Sequence, residues 1–212
     1  AGDNLLIDTG ATLTASGAVT LRGDYGDADT GTGTVIDLRG TITGTLVDVY
    51  GGADQDVVNL TNAVSGTPVS IQTLASNDVV NVGSNATAAA NTGGVLDNID
   101  GSIIIDAGTG TDQITLDDSG DATSNNGSLT NSSVTGLGMA AGIQYANVET
   151  LEITLGSGGD SLTIESTMAG QTTLNTGAGS DTVDVKSTAG ATNVNTGADA
   201  DTVNIGNDAN QV

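Results

Sequence analysis

Short runs of alternating aliphatic and polar residues recur along the chain, joined in pairs by segments rich in Gly and Asp. A common register appears when Asp56, Asp78, Asp112, Asp160, Asp181 and Asp201 are set as origin. Two residues on lie Val58, Val80, Ile114, Leu162, Val183 and Val203; four on lie Leu60, Val82, Leu116, Ile164, Val185 and Ile205. Polar or small residues separate them in most copies, which is the period-two pattern of a half-buried strand. Seven positions before the Asp stand Val49, Ile71, Ile105, Ile153, Leu174 and Val194. Nine before stand Val47, Val69, Ile103, Leu151, Thr172 and Thr192. Each unit therefore predicts strand, Gly/Asp turn, strand.

The origins are 22, 34, 48, 21 and 20 residues apart. A unit of about 20–22 residues holds two short strands and two turns, too little for a helical repeat, and fits one coil of a parallel β-solenoid. The fold class expected is all-β, a single solenoid domain over residues 1–212 with irregular insertions. Residues 46–116 and 151–212 read as Gly/Asp-turn coils. Residues 117–150 read as an insertion or atypical coil, and 83–102 as a further candidate insertion. Residues 1–45 read as degenerate coils, because Leu5/Ile7, Val19/Leu21 and Ile36/Leu38 keep the alternating pairs without the Asp turn. Roughly ten coils at about 4.8 Å would give a rod about 50 Å long. The rival is an immunoglobulin-like sandwich, whose strands have a similar spacing but would not hold one register around one glycine turn.

Composition sharpens this. The 212 residues include 26 acidic and 3 basic side chains, a net charge of −23, yet 36 % are apolar. Those are mostly Val, Ile, Leu and Ala, so the chain is not a disordered acidic tail. A thin interior between two sheets also suits the near-absence of aromatics. With Arg22, Arg39 and Lys186 as the only cations, binding to nucleic acid or to anionic membranes is excluded. The lack of His and Cys removes zinc, haem, iron–sulfur and thiol chemistry, and no apolar run of about 18 residues predicts membrane insertion. No signal peptide opens the chain, so a removed leader or a larger surrounding protein is expected.

The acids point to a hard cation. Four residues before the origin stand Gly52, Gly108, Gly156, Gly177 and Gly197, with Leu74 the exception. Two before it stand Asp54, Ser76, Gly110, Gly158, Gly179 and Asp199. Glycines let the backbone turn its carbonyls inward, and Asp adds a charged oxygen. Calcium takes six to eight such oxygens in a flexible arrangement, unlike magnesium or a transition metal. Stacking like charges about 4.8 Å apart is unfavourable by about 1 kcal/mol per pair in a high dielectric, and a divalent ion reverses that sign. The alternative is that Gly/Asp turns are simply good turns whose Asp faces water.

The segments Gly177-Ala-Gly-Ser-Asp181-Thr-Val183, Gly108-Thr-Gly-Thr-Asp112-Gln-Ile114 and Gly156-Ser-Gly-Gly-Asp160-Ser-Leu162 resemble the RTX (hemolysin-type) nonapeptide, which binds calcium between turns of a parallel β-roll. The similarity covers about half the chain. It departs from the family in spacing: the motif recurs about every twenty residues rather than every nine, and the opposite turns, Ser166–Gly170 and Ser187–Ala191, carry no carboxylate. The resemblance implies one ladder of calcium ions on one edge. Its ligands would come from Asp54, Asp56, Asp78, Gly108, Gly110, Asp112, Gly156, Gly158, Asp160, Gly177, Gly179, Asp181, Gly197, Asp199 and Asp201. The turns of Asp160, Asp181 and Asp201 are the leading candidates, since no insertion separates them. Asp54 and Asp199 replace a family glycine.

Other features add less. Asn59, Asn81 and Asn204 share the outward position three after the origin with Thr115, Thr163 and Asp184; a solvated sheet face is expected there rather than a stacked polar ladder. Tyr25, Tyr50 and Tyr145 are too scattered for a sugar-stacking platform. Thr12-Leu-Thr14 and Thr41-Ile-Thr43 are too few for an ice-binding array. A polysaccharide-acting β-helix lyase or glycosidase is the alternative function, weakened by the shortage of Lys and Arg. The reading favoured is a non-enzymatic, calcium-stabilised structural or adhesive module of a bacterial surface or secreted protein or fibre. Leu5-Leu-Ile7 and Val203-Asn-Ile205 read as strands rather than capping helices, so neighbouring copies or modules stacking end to end are the expected partners.

Overall fold

The computed structural model describes residues 4–24, 26, 30–64 and 66–206; Tyr25 lies outside them. These residues form twenty short strands and no helix. The first two coils have three strands each: β1 (Leu5–Ile7), β2 (Thr12–Thr14) and β3 (Val19–Arg22), then β4 (Val35–Leu38), β5 (Thr41–Thr43) and β6 (Val47–Gly52). The next two have two each: β7 (Val57–Leu60) with β8 (Val69–Leu74), and β9 (Val79–Val82) with β10 (Ile103–Asp106). A splice follows: β11 (Gln113–Asp117), β12 (Asn126–Leu129), β13 (Ser133–Gly136) and β14 (Ile143–Ala146). Three two-stranded coils complete the stack: β15 (Thr150–Thr154) with β16 (Ser161–Ile164), β17 (Gln171–Asn175) with β18 (Thr182–Val185), and β19 (Thr192–Asn195) with β20 (Thr202–Ile205).

The strands stack coil upon coil. The first sheet runs β1-β4-β7-β9-β11-β15-β17-β19, the second β3-β6-β8-β10-β14-β13-β12-β16-β18-β20, and β2 pairs β5 in a small third sheet. Every pairing is parallel except those of β13, which runs antiparallel to both neighbours. This is a parallel β-solenoid, and the parallel pairing rules out the sandwich. Like residues lie over like: Val58 pairs with Val80 and Val80 with Ile114, Leu60 with Val82 and Val82 with Leu116. These positions are buried in all but the final coil, where Val203 and Ile205 of β20 are exposed. Eight strands in the first sheet give a stack about 35 Å long, shorter than the ten coils expected.

The splice corrects the sequence register. Leu151 and Ile153, aligned by spacing with Val47 and Val49 of the second sheet, instead pair in the first sheet with Ile114 and Leu116. The chain crosses from β11 to β12, doubles back through β13 to β14 beside β10, and only then starts β15. The buried Tyr145 pins this fold-back by donating its hydroxyl proton to the Thr130 carbonyl at 2.6 Å. Half a coil is thereby added, and the Gly/Asp turns that follow lie on the opposite side of the stack.

Residues 83–102 form no strand. Asn91 lies across the outside of the first sheet, donating to Val82 O at 3.2 Å and Thr115 O at 3.1 Å. Beneath lies the polar ladder that sequence reading placed second to a solvated face. Asn59 donates to Asp37 at 2.7 Å, Asn81 to Asn59 at 2.8 Å, and the Thr115 hydroxyl to Asn81 at 2.6 Å. Asn59 is fully buried. Because its removal strands polar groups away from water, Asn59→Ala should lower stability by about 1–3 kcal/mol in urea denaturation. Asn204→Ala, on the exposed Asn204–Asp184 bond, should change it by less than about 0.5 kcal/mol.

Candidate functional site

The aspartates at the origin point inward. Position zero has the same parity as the buried aliphatics at +2 and +4, so alternation carries its side chain to the same face. Asp56, Asp78, Asp112, Asp160 and Asp181 are all buried. What makes burial tolerable is a two-point clasp between coils. The Asp56 N–H donates to Asp78 Oδ1 at 2.8 Å, while the Val79 N–H donates back to the Asp56 carbonyl at 2.9 Å. The same clasp joins Thr34 to Asp56 at 2.7 Å and Asp78 to Asp112 at 2.8 Å. It also joins Asn125 to Asp160 at 2.8 Å, Asp160 to Asp181 at 2.7 Å and Asp181 to Asp201 at 3.0 Å. At the turn the regular ladder of main-chain bonds has not begun, and each carboxylate supplies the acceptor that its neighbour's N–H lacks.

The clasps form two ladders, not one. Asp56, Asp78 and Asp112 lie where the chain returns from the second sheet to the first; Asp160, Asp181 and Asp201 lie where it passes from the first to the second. The first ladder ends on Glu149, which takes the Asp112 N–H at 2.8 Å. The second is approached by Asp118, which holds the Leu96 N–H at 2.8 Å. Asn125 links the approach to the ladder by donating its amide to Asp121 at 2.6 Å and to Asp118 at 3.3 Å. Glu149, Asp118 and Asn125 escape sequence reading because they fall outside the repeated motif. For Asp118 the available signal was a carboxylate directly after a strand end; Glu149 and Asn125 stand directly before β15 and β12 and carry no such mark.

Glycines set the distance between turns. Gly108, Gly110, Gly177, Gly179 and Gly197 have left-handed backbones, and a methyl group on Gly110 would lie 1.7 Å from Ser76 O. A methyl group on Gly156 would lie 1.9 Å from Asp121 O, and one on Gly158 2.1 Å from Thr123 O. Asp199, with φ 81°, keeps the turn despite replacing a glycine, as do Leu74 (79°) and Ser76 (81°). Asp199 faces outward and receives the Gly179 N–H at 3.3 Å. Asp54 receives the Gly31 N–H at 2.6 Å and does not join the ladder.

The ladders differ in what their second oxygens meet. In the second, the Thr176 hydroxyl lies 2.5 Å from Asp181 Oδ2 and 2.9 Å from Thr196 O. In the first, Asp56 Oδ2 accepts the Gly52 N–H at 2.6 Å, but Asp78 Oδ2 and Asp112 Oδ2 are buried with no hydrogen-bond partner. The Thr73 hydroxyl lies beside Asp78 but gives its proton to Ala107 O at 2.9 Å. Burial accordingly pushes the Asp78 carboxyl up to about 6, against the opposing pull of the Asp56 N–H and the nearby Thr73 hydroxyl, with the charges of Asp56 and Asp112 adding to the rise. Burial also raises Asp56, Asp112 and Asp160, and raises Asp118 to about 7 together with the charges of Asp121, Asp97 and Asp160.

Among the described residues no three acidic side chains converge as a metal-binding group. Any cation between coils would therefore meet at most two carboxylates, with main-chain or water oxygens completing its shell. Two unpartnered buried carboxylate oxygens on adjacent coils, in an all-oxygen environment, fit a hard cation. No protein-family model matches this chain, and comparison with curated proteins and with solved structures found no match.

Proposed function

We propose that the chain is a non-enzymatic structural module: a rigid acidic solenoid, stabilised by calcium, from an extracellular or cell-surface adhesive protein or fibre of RTX-like type. The observation that carries the calcium reading is the pair of buried, unpartnered oxygens on Asp78 and Asp112. These two residues would hold the ion, and its charge would offset the repulsion between them. The clasps themselves, including those Asp78 and Asp112 make through Oδ1, need no metal. A scaffold role is supported by how the chain spends its acids: the buried ladder aspartates join coil to coil rather than converging in a cleft. The exposed inner positions Val203 and Ile205 of β20 support partners that stack end to end, either further modules or further copies.

Calcium binding to the folded state alone raises the melting temperature by mass action. Several millimolar calcium should shift the thermal transition upward relative to EGTA, by an amount that grows with concentration. An unchanged melting curve across that range would sink the calcium reading.

A further inference from the structure

The two ladders look interchangeable in sequence, yet their oxygens are not equally provided for. We infer that calcium dependence is confined to the first ladder, centred on the Asp78–Asp112 step, and that the coils of the second ladder hold together without metal. This rests on the calcium reading above and says where in the molecule it acts.

Counting partners carries the argument. Each ladder carboxylate spends one oxygen on the N–H of the coil before it. In the second ladder the other oxygen has a donor or water within reach: the Thr176 hydroxyl, which also faces Thr196 O at 2.9 Å, lies 2.5 Å from Asp181 Oδ2, the Gly156 N–H faces Asp160, and Asp201 is partly open to water. Neither Asp160 nor Asp181 has a buried oxygen without a partner. In the first ladder Asp78 and Asp112 each keep one, both residues being 1 % exposed. They are successive rungs, joined by the Asp78 N–H to Asp112 Oδ1 bond. In the main-chain turn beside them Leu74 and Ser76 take left-handed conformations, and Gly108 and Gly110 stack closely against them without side chains. A buried ionised oxygen without a donor is strongly disfavoured, so the coils carrying Asp78 and Asp112 need a proton or a cation. The coils carrying Asp160, Asp181 and Asp201 do not. This reverses the ranking drawn from spacing, under which the uninterrupted C-terminal turns were the favoured calcium sites.

The test is hydrogen exchange on the full chain at pH 8, with calcium or with EGTA, read peptide by peptide. Withdrawing calcium should lower protection about tenfold or more across residues 47–117 and leave residues 150–206 within about twofold. Asp78→Asn should abolish the calcium response of the melting temperature; Asp181→Asn should keep it. A response spread evenly over both halves, or confined to 150–206, overturns the inference while leaving calcium binding intact. No response anywhere overturns both. Because the exchange pattern is read on the unmodified chain, a variant that fails to fold does not blunt the test.

Discussion

In calcium-free buffer the protein should melt at a higher temperature at pH 4.5 than at pH 8, by on the order of 10 °C. The sign follows from the buried carboxyls. Asp78 and Asp118 titrate at about 6 and about 7 when folded, against 3.8 when exposed. Between these limits the folded chain retains protons that the unfolded chain has released, so stability falls as pH rises through the window. Asp56, Asp112 and Asp160 are displaced in the same direction. Together the displacements amount to several kcal/mol, on the order of 1.4 kcal/mol for each tenfold change in proton affinity. Asp121 runs the other way: burial opposes its charge, but bonds from Thr123 and Asn125 outweigh burial and lower it below 3.8. Its contribution is lost only in stronger acid, which is why pH 4.5 is the informative point. Calcium at pH 8 should recover the share due to Asp78 and Asp112 and leave that of Asp118. Thermal melts from pH 4.5 to 8 check this, and a protein most stable at pH 8 without calcium would contradict the buried-carboxylate account.

Gly177→Ala should destabilise the protein by about 3 kcal/mol or more, whereas Gly10→Ala should cost about 1 kcal/mol. Both glycines are left-handed, with φ of 91° and 81°, so the conformational penalty is shared. They differ in what a methyl group meets. At Gly10 nothing lies within 4 Å; at Gly177 it would sit 2.0 Å from Gly156 O. That carbonyl cannot retreat freely, because it accepts the Ala178 N–H at 3.0 Å. Separating these turns would strain the Asp160–Asp181 clasp next to them. Urea denaturation of the two variants measures the difference directly. Equal losses would mean that the glycines serve conformation alone and not the close approach of coils.

The position of the acids illustrates how much was legible in the chain. Asp56 stands two and four residues before Val58 and Leu60, an even spacing that places all three on one face. Reading the Gly/Asp segment as a turn suggested instead an Asp directed at water or at an edge-bound ion. The parity argument was available and gives the buried answer. The buried Asn59 was less accessible to such reasoning. Its outward parity is right, but its burial comes from tertiary neighbours: it bonds Asp37 and Asn81, and Asn81 in turn reaches Thr87 of the segment 83–102.

The sequence by itself determined the strand–turn–strand unit, the aliphatic positions that stack, and the need for glycine in the tight turns. These are local or strictly periodic, because side-chain alternation and left-handed backbone depend on neighbouring residues alone. The tertiary structure decided which edge each turn occupies. A half-buried strand has the same alternating pattern in either sheet, so Ile153 carries no mark distinguishing a place beside Leu116 from one beside Val49. The fold-back through β13 adds the half coil that separates the six aspartates into two sets of three. Only that separation, together with the neighbours each set meets, makes Asp78 and Asp112 different from Asp160 and Asp181.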